Sequence, residues 1–328
     1  MKAAFRYRVI FATLALAVLV PGAAQARTPV VLVTDIGTDI DDTWAIALAL
    51  RSPELDLKLV VVDPADTAYR VKVAAKFLEA SGHGTVEIAT GDNSPVNGDK
   101  EETLLPWVEH YDIGKYPGKI YADGVGALVD FFEKATEPVT VISIGPVNTL
   151  ALALKREPNL ATKCRFVGVY GSFDVGYNGG RPAAETNVRV NPEGLRTVLA
   201  APWKDILLTP LDTCDFVGLR GERYHAIWSA TSDPMLRALI ESYCIFASRQ
   251  TWMVCDYFAT RSTTLYDCVA VYLSYSEELV DIETVSFDVT SDGCTRRSPK
   301  GPFKARVALR WKNRDGFEAQ LAGRLLSP

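Results

Sequence analysis

Histidine is the scarcest chemistry-bearing residue in this 328-residue chain, occurring only as His83, His110 and His225. No two of these sit at metal-ligand spacing, so a histidine-rich zinc site is excluded and any metal must be held by oxygen. The six cysteines, Cys164, Cys214, Cys244, Cys255, Cys268 and Cys294, form no Cys-x-x-Cys pair. That removes a redox dithiol or a zinc ribbon. Surplus positive charge is also missing. Lys and Arg number 35 against 40 Asp and Glu, a formal charge of −5, which leaves no electrostatic footprint for a nucleic-acid polymer. No internal repeat, low-complexity linker or break in composition divides the chain.

What is present is ordinary globular material, 48% hydrophobic and 23% charged, with length enough for one large core. The N-terminus differs from the rest. Lys2, Arg6 and Arg8 precede a short apolar run, Val9 to Val20, and Ala24-Gln25-Ala26 supplies a small-x-small cleavage site. This is the pattern of a secretory signal peptide, and the run is too short to span a bilayer comfortably. The expectation is a signal peptide over residues 1–26 and one mature domain over 27–328. The mature chain would be secreted or periplasmic, with no membrane attachment after cleavage. Cleavage removes three cations and no acid, leaving it more acidic. Cysteines can pair in such a compartment; buried free thiols are the alternative.

Strand and helix signals alternate along the chain. Val30 to Val33, Leu57 to Val62, Val86 to Ala89, Val139 to Ile144, Phe166 to Tyr170 and Ile206 to Leu208 read as buried strands. Trp44 to Leu50, Tyr69 to Leu78, Thr149 to Leu154 and Gly194 to Leu199 read as helices, and 215–263 as mostly helical. Val285 to Val289 and Ala305 to Trp311 alternate like antiparallel or edge strands before a closing helix, Phe317 to Leu325. The pattern predicts an α/β fold: a Rossmann-like open, mostly parallel sheet flanked by helices, with strands added at the C-terminal end.

In open α/β sheets, ligands bind beyond the carboxyl ends of the strands. After the first strand stands Asp35-Ile36-Gly37-Thr38-Asp39-Ile40-Asp41-Asp42. Four aspartates so close repel one another, and a hard cation with oxygen ligands relieves that repulsion. The plain alternative is a solvated turn whose Asp41 and Asp42 favour a helix N-terminus. An EF-hand is excluded, because its glycine and glutamate positions hold Ile40 and Ile46. Asp39-Ile40-Asp41-Asp42-Thr43 also matches the Asp-x-Asp-x-Thr text of haloacid-dehalogenase-type phosphatases, which keeps a metal-dependent phosphohydrolase in view.

Several segments taken in order resemble the inosine-uridine-preferring nucleoside hydrolases. They are the aspartate run after the first strand, Ser143-Ile144-Gly145-Pro146-Val147-Asn148, Ala184-Glu185-Thr186-Asn187-Val188 with Asn191-Pro192-Glu193, Leu211-Asp212-Thr213, and Leu265-Tyr266-Asp267-Cys268-Val269-Ala270-Val271. The first run is similar to a variant branch with two extra residues, Thr38 and Asp39. The resemblance implies hydrolysis of the N-glycosidic bond of ribonucleosides through an oxocarbenium-like transition state, with calcium as cofactor. It implies a small-molecule nucleoside substrate, a role in nucleoside salvage, and a homo-oligomer, dimer or tetramer.

It also implies roles for individual residues. Asp35 would be both calcium ligand and general base, with Asp42, Asp267 and the Ile144 carbonyl as further ligands. Asp39 competes with Asp35 for the metal, because the insertion leaves the register open. Asp41, Glu185 and Asn187 would grip the ribose, the last two from an extended segment, with Asn178 a weaker fourth. Asp212 would be structural. Asp66 is a guess for a missing ribose-contacting Asn. Tyr266 stands where a leaving-group histidine often stands. Trp252, placed on a predicted helix, would stack on the base or, as the preferred reading, belong to the core. Because Tyr266 replaces that histidine, a nucleoside- or ribose-binding protein with lost or altered catalysis is the second reading.

Overall fold

The computed structural model describes residues 26–94, 102–253 and 257–327. The signal-peptide segment therefore lies outside the described residues except for Ala26, as does Cys255.

Ten strands form one sheet. They are β1 (Thr28–Thr34), β2 (Leu55–Val62), β3 (Glu87–Thr90), β4 (Ile120–Tyr121), β5 (Val139–Ser143), β6 (Cys164–Val169), β7 (Asp205–Thr209), β8 (Val280–Val289), β9 (Thr295–Arg297) and β10 (Phe303–Trp311). Their spatial order is β4-β3-β2-β1-β5-β6-β7-β10-β8-β9. Every pairing from β4 to β10 is parallel; β8 lies antiparallel to β10, and β9 to β8. The expected sheet is thus present. The two expected C-terminal strands, β8 and β10, pair antiparallel as their alternation suggests; β10 is interior, parallel to β7 on its other side, and β9 takes the edge.

The alternation of β1 shows why both faces are covered. Val30 and Leu32 enter one apolar cluster, with Trp44, Phe77, Tyr243, Tyr272 and Phe317. Val31 and Val33 enter the other, with Leu128, Phe132, Leu150, Leu195 and Phe287. Successive strand residues point to opposite faces, so a continuous apolar run is what a sheet sandwiched between helices requires. The helix Gly124–Lys134 was not legible in the sequence. Gly124 and Gly126 lower its intrinsic propensity, yet Asp123 caps it by accepting the Gly126 N–H, and burial of Leu128 and Phe132 stabilises it. No described helix is long and apolar enough to cross a membrane. Among the described cysteines, Cys164, Cys214 and Cys268 are buried free thiols, and Cys244 and Cys294 are half-buried free thiols.

β1 has β2 on one side and β5 on the other, so the connections leave it in opposite directions. That switch point is where a crevice opens in a doubly wound sheet. Pairing of Val33 with Ser143 brings the loops after β1 and β5 together. The approach is close enough that a Cβ on Gly145 would lie 2.6 Å from the Asp35 backbone nitrogen, so only glycine fits there.

At the end of β2, Asp63 is fully buried. Its Oδ2 accepts the Thr149 N–H at 2.6 Å, while its Oδ1 has no hydrogen-bond partner. Burial pushes its pKa up to about 8 despite the Thr149 bond. The folded state thus holds this proton far more tightly than the unfolded chain. Its contribution to stability is full in acid, falls from about pH 4, and is lost above about pH 8. The loss is at most on the order of 5 kcal/mol. Asp63→Asn should flatten the decline of Tm between pH 5 and 8 measured by calorimetry; an unchanged slope would contradict this assignment.

Candidate functional site

The loop after β1 is built by its neighbours. Gly37 has φ +96°, and a Cβ there would sit 2.7 Å from the Tyr69 ring. The Tyr69 hydroxyl donates to the Gly37 carbonyl at 3.0 Å and accepts the Leu104 N–H at 2.7 Å. Thr103 donates to the same carbonyl from the far side. Arg70, almost fully buried, donates to the carbonyls of Asp35, Ile36 and Pro64. These contacts fold the chain so that Asp41 and Asp42 open the helix Asp41–Leu50.

The helix Tyr266–Tyr275 packs against it, with Asp267 in its own first turn. The Asp267 N–H donates to Asp41 Oδ2 at 3.3 Å, and Thr34 Oγ1 donates to Asp42 Oδ1. Carboxylate oxygens of Asp41, Asp42 and Asp267, all buried, lie within 4.8 Å of one another.

Their proton affinities report the strain. Burial, then the charges of Asp39 and Asp42, push Asp41 well above the usual carboxylate range. Burial and the Asp35 charge do the same to Asp42, and burial and Asp41 to Asp267. Asp35 is raised by burial, against the opposing Arg70 guanidinium.

Magnitudes decide between the two readings of the aspartate run. Two carboxylates about 4–5 Å apart repel by about 3–4 kcal/mol at an effective dielectric of ~20. A helix N-terminus returns about 0.3–1 kcal/mol per acid, and ~2 at best. Helix capping therefore does not offset the repulsion, whereas a hard divalent cation does. The donors are all oxygen, three carboxylates and the adjacent Ile144 carbonyl, which fits a cation of the calcium or magnesium type.

These groups face a cleft of about 210 Å³ at the carboxyl ends of β1, β5 and β6. A larger hollow of about 320 Å³, around Pro29 and Val139 at the amino ends of β1 and β5, contains none of the motif residues. Across the cleft, Glu185 caps the short helix Thr186–Val190, accepting the N–H groups of Asn187 and Val188. Burial pushes Glu185 up to about 7 against those bonds. The Asn187 amide donates to the carbonyls of Ile144 and Val169 at 3.1 and 3.2 Å. The expected extended segment is thus corrected. Glu185 and Asn187 reach the cleft because one caps a helix whose first turn carries the other.

Of the residues singled out in the sequence, the cleft gathers Asp35, Asp39, Asp41, Asp42, Ile144, Glu185, Asn187, Tyr266 and Asp267. Asp41, expected only at the ribose, also belongs to the carboxylate cluster. Asp35 lines the same cavity outside that tight trio. Asn178 does not come to the cleft. It is exposed at φ 54° in a turn whose backbone bonds to Asp215. Trp252 lies in a turn, not on a helix, and is 55% exposed, so it is neither core nor cleft; its indole N–H donates to Gln250. Asp66 caps the helix Thr67–Ala80 instead of facing the cleft. Asp212 accepts the N–H groups of Phe173, Asp174 and Val175 and is not among the residues lining the cleft.

Thr38, Tyr177, Thr186, Val169 and Leu211 line the cleft and were missed. Thr38 and Thr186 adjoin motif acids, which was the one available signal. Tyr177 had none, since it is placed by a hydrogen bond to Thr186.

The open, mostly parallel sheet is shared with solved nucleoside hydrolases. A plant nucleoside hydrolase superposes with a TM-score of 0.75 at 21% identity, over 92% of this chain and 100% of that one. The inosine-uridine preferring nucleoside hydrolase from Bacillus anthracis gives 0.71 at 21%, over 90% and 99%. The family model for inosine-uridine preferring nucleoside hydrolase matches residues 30–318, and the chain belongs to that family. Among curated relatives, the non-specific ribonucleoside hydrolase RihC of Escherichia coli O157:H7 is 29% identical over 321 residues, 90% of this chain and 97% of the relative. Uridine nucleosidase 1 of Arabidopsis thaliana is 27% identical over 183 residues, 52% of this chain and 53% of the relative. The chain thus spans about half the length of that plant protein.

If the carboxylate trio holds a divalent cation, adding calcium to chelator-treated protein raises Tm, by about 2.7 kcal/mol of stability at a hundredfold excess over Kd. Asp267→Asn should weaken that binding at least tenfold by calorimetry. A Tm that responds to neither calcium nor magnesium would contradict the site.

Proposed function

We propose that this chain is an exported, calcium-dependent hydrolase of the N-glycosidic bond of ribonucleosides, releasing ribose and free nucleobase for salvage. The observation that carries the reading is the meeting of Asp41, Asp42 and Asp267 with Glu185 and Asn187 around one cleft. A cation held by Asp42 and Asp267, with Asp35 or Asp41 as third carboxylate and the Ile144 carbonyl beside them, would supply charge neutralisation and Lewis acidity.

The chain's own groups do the rest. Asp35 stands at the mouth of β1, where it takes the proton of the attacking water. Asp41, Glu185 and the Asn187 amide oxygen accept from the ribose hydroxyls, bonds that strengthen as positive charge develops on the sugar ring. The carboxylates around the cleft favour that charge. Leu211 and Val169 supply apolar wall and help exclude water.

One observation favours a second reading, a nucleoside- or ribose-binding protein. Among the described residues no imidazole lines the cleft, so the base lacks an ordinary neutral-pH acid. Tyr266 lines it instead, and burial holds that phenol above its usual range. The phosphohydrolase alternative loses weight, because Asp39 lies in the loop five residues beyond the last residue of β1.

By the same reading, residues 1–26 are removed on export and 27–328 form the working domain, as a dimer or tetramer. Mass spectrometry of protein secreted from a bacterial host should give Arg27 as the first residue; retention of Met1 would contradict export.

Assays with uridine, cytidine, inosine and adenosine should release ribose, with loss on chelation. Asp35→Ala should lower kcat/KM by about 10²–10⁴-fold. Tight nucleoside binding by calorimetry without ribose release would favour the binding protein instead.

A further inference from the structure

We propose that the cleft prefers ribosides that already carry a positive charge on the glycosidic nitrogen, such as N-ribosylpyridinium cations, over neutral nucleosides and over negatively charged analogues. The inference rests on the hydrolase reading and names a substrate class for the same site.

Two observations point the same way. The first is charge. Six carboxylates line the cleft, those of Asp35, Asp39, Asp41, Asp42, Glu185 and Asp267, and among the described residues no Lys, Arg or His side chain does. A bound divalent cation cancels only two of those charges. Arg70 stays behind the loop, 7% exposed, donating to the carbonyls of Asp35, Ile36 and Pro64; its one positive charge is felt by Asp35 and Asp42 and, with the divalent cation, offsets three of the six. The field at the cleft therefore attracts cations and repels anions.

The second observation is the supply of donors. The cleft's side-chain donors apart from the Asn187 amide are hydroxyls. The Tyr266 hydroxyl donates to Asp215 at 3.3 Å, and the Tyr177 hydroxyl is engaged with Thr186. The Asn187 amide is committed to two carbonyls. A neutral nucleobase that leaves without a proton departs as an anion, into a field that opposes it.

An N-ribosylpyridinium needs no such help. Water oxygen bonds to C1′, the C1′–N pair returns to the ring nitrogen, and the heteroarene leaves uncharged. Asp35 takes the proton released by water, so the sum is cation plus water giving ribose, neutral base and a proton. Two aromatic residues, Tyr266 and Tyr177, also line the cleft, and aromatic rings suit a cationic ring.

The test uses the calcium-loaded mature chain and reads free ribose from four substrates. These are N-ribosylnicotinamide, its 3-carboxylate analogue, which keeps the ribosylated pyridinium nitrogen but adds a negative charge on the ring, its 5′-phosphate, and uridine. The expected kcat/KM for N-ribosylnicotinamide exceeds that for uridine at least about tenfold. It should fall about threefold or more as NaCl rises from 20 to 300 mM, while uridine turnover stays level. The 3-carboxylate and the 5′-phosphate should both be cleaved less well than N-ribosylnicotinamide. Uridine turnover equal to or faster than the cation's, or a salt-independent preference, would overturn the inference and leave the hydrolase standing. No ribose from any substrate would overturn the hydrolase reading and this inference with it.

Discussion

The mutual repulsion of buried carboxylates at the end of β1 is the constraint on which the rest of the site depends. Asp41, Asp42 and Asp267 present oxygens within 4.8 Å of one another out of reach of bulk water. Repulsion of several kcal/mol per pair exceeds what helix dipoles or single hydrogen bonds return. Such a cluster persists in one of two ways: it binds protons, as the raised proton affinities show, or it binds a cation. A protein that keeps three acids there, flanked by Asp35 and the turn after β5, is arranged for the second.

The fold supplies what the cluster needs. The switch between β1, β2 and β5 opens the crevice, and two helices deliver their first turns to it from the same side of the sheet. Gly145 lets the β5 turn press against Asp35. Arg70 and Tyr69 hold the loop carbonyls from below, so the longer loop containing Thr38 and Asp39 is tied down. Asn187 grips the Ile144 carbonyl, which couples the Glu185 side of the cleft to the turn after β5.

The sheet was legible in the sequence because strands buried on both faces leave a continuous apolar signature, as Val30 to Val33 do. The acids were legible because four aspartates in eight residues demand a physical reason. What escaped was set by tertiary contact. The helix Gly124–Lys134 forms against its glycines, since packing outweighs propensity. β10 reads locally as an antiparallel or edge strand, and its antiparallel pairing with β8 follows, but its parallel pairing with β7 is set by a contact no local pattern encodes. Trp252 looked like core by its size alone, yet the helix Pro234–Ser248 ends before it, leaving the indole on an exposed turn. Tyr177 enters the cleft through its bond to Thr186, a contact no local pattern encodes.

The central claim is that these acids exist to hold one divalent cation beside the ribose clamp. Anomalous diffraction from crystals of the mature chain grown with manganese tests it most directly. The account predicts a single strong peak touching the carboxylates of Asp42 and Asp267, with Asp35 or Asp41 and the Ile144 carbonyl completing its shell. A cleft without a peak, or an ion bound away from those groups, would contradict it.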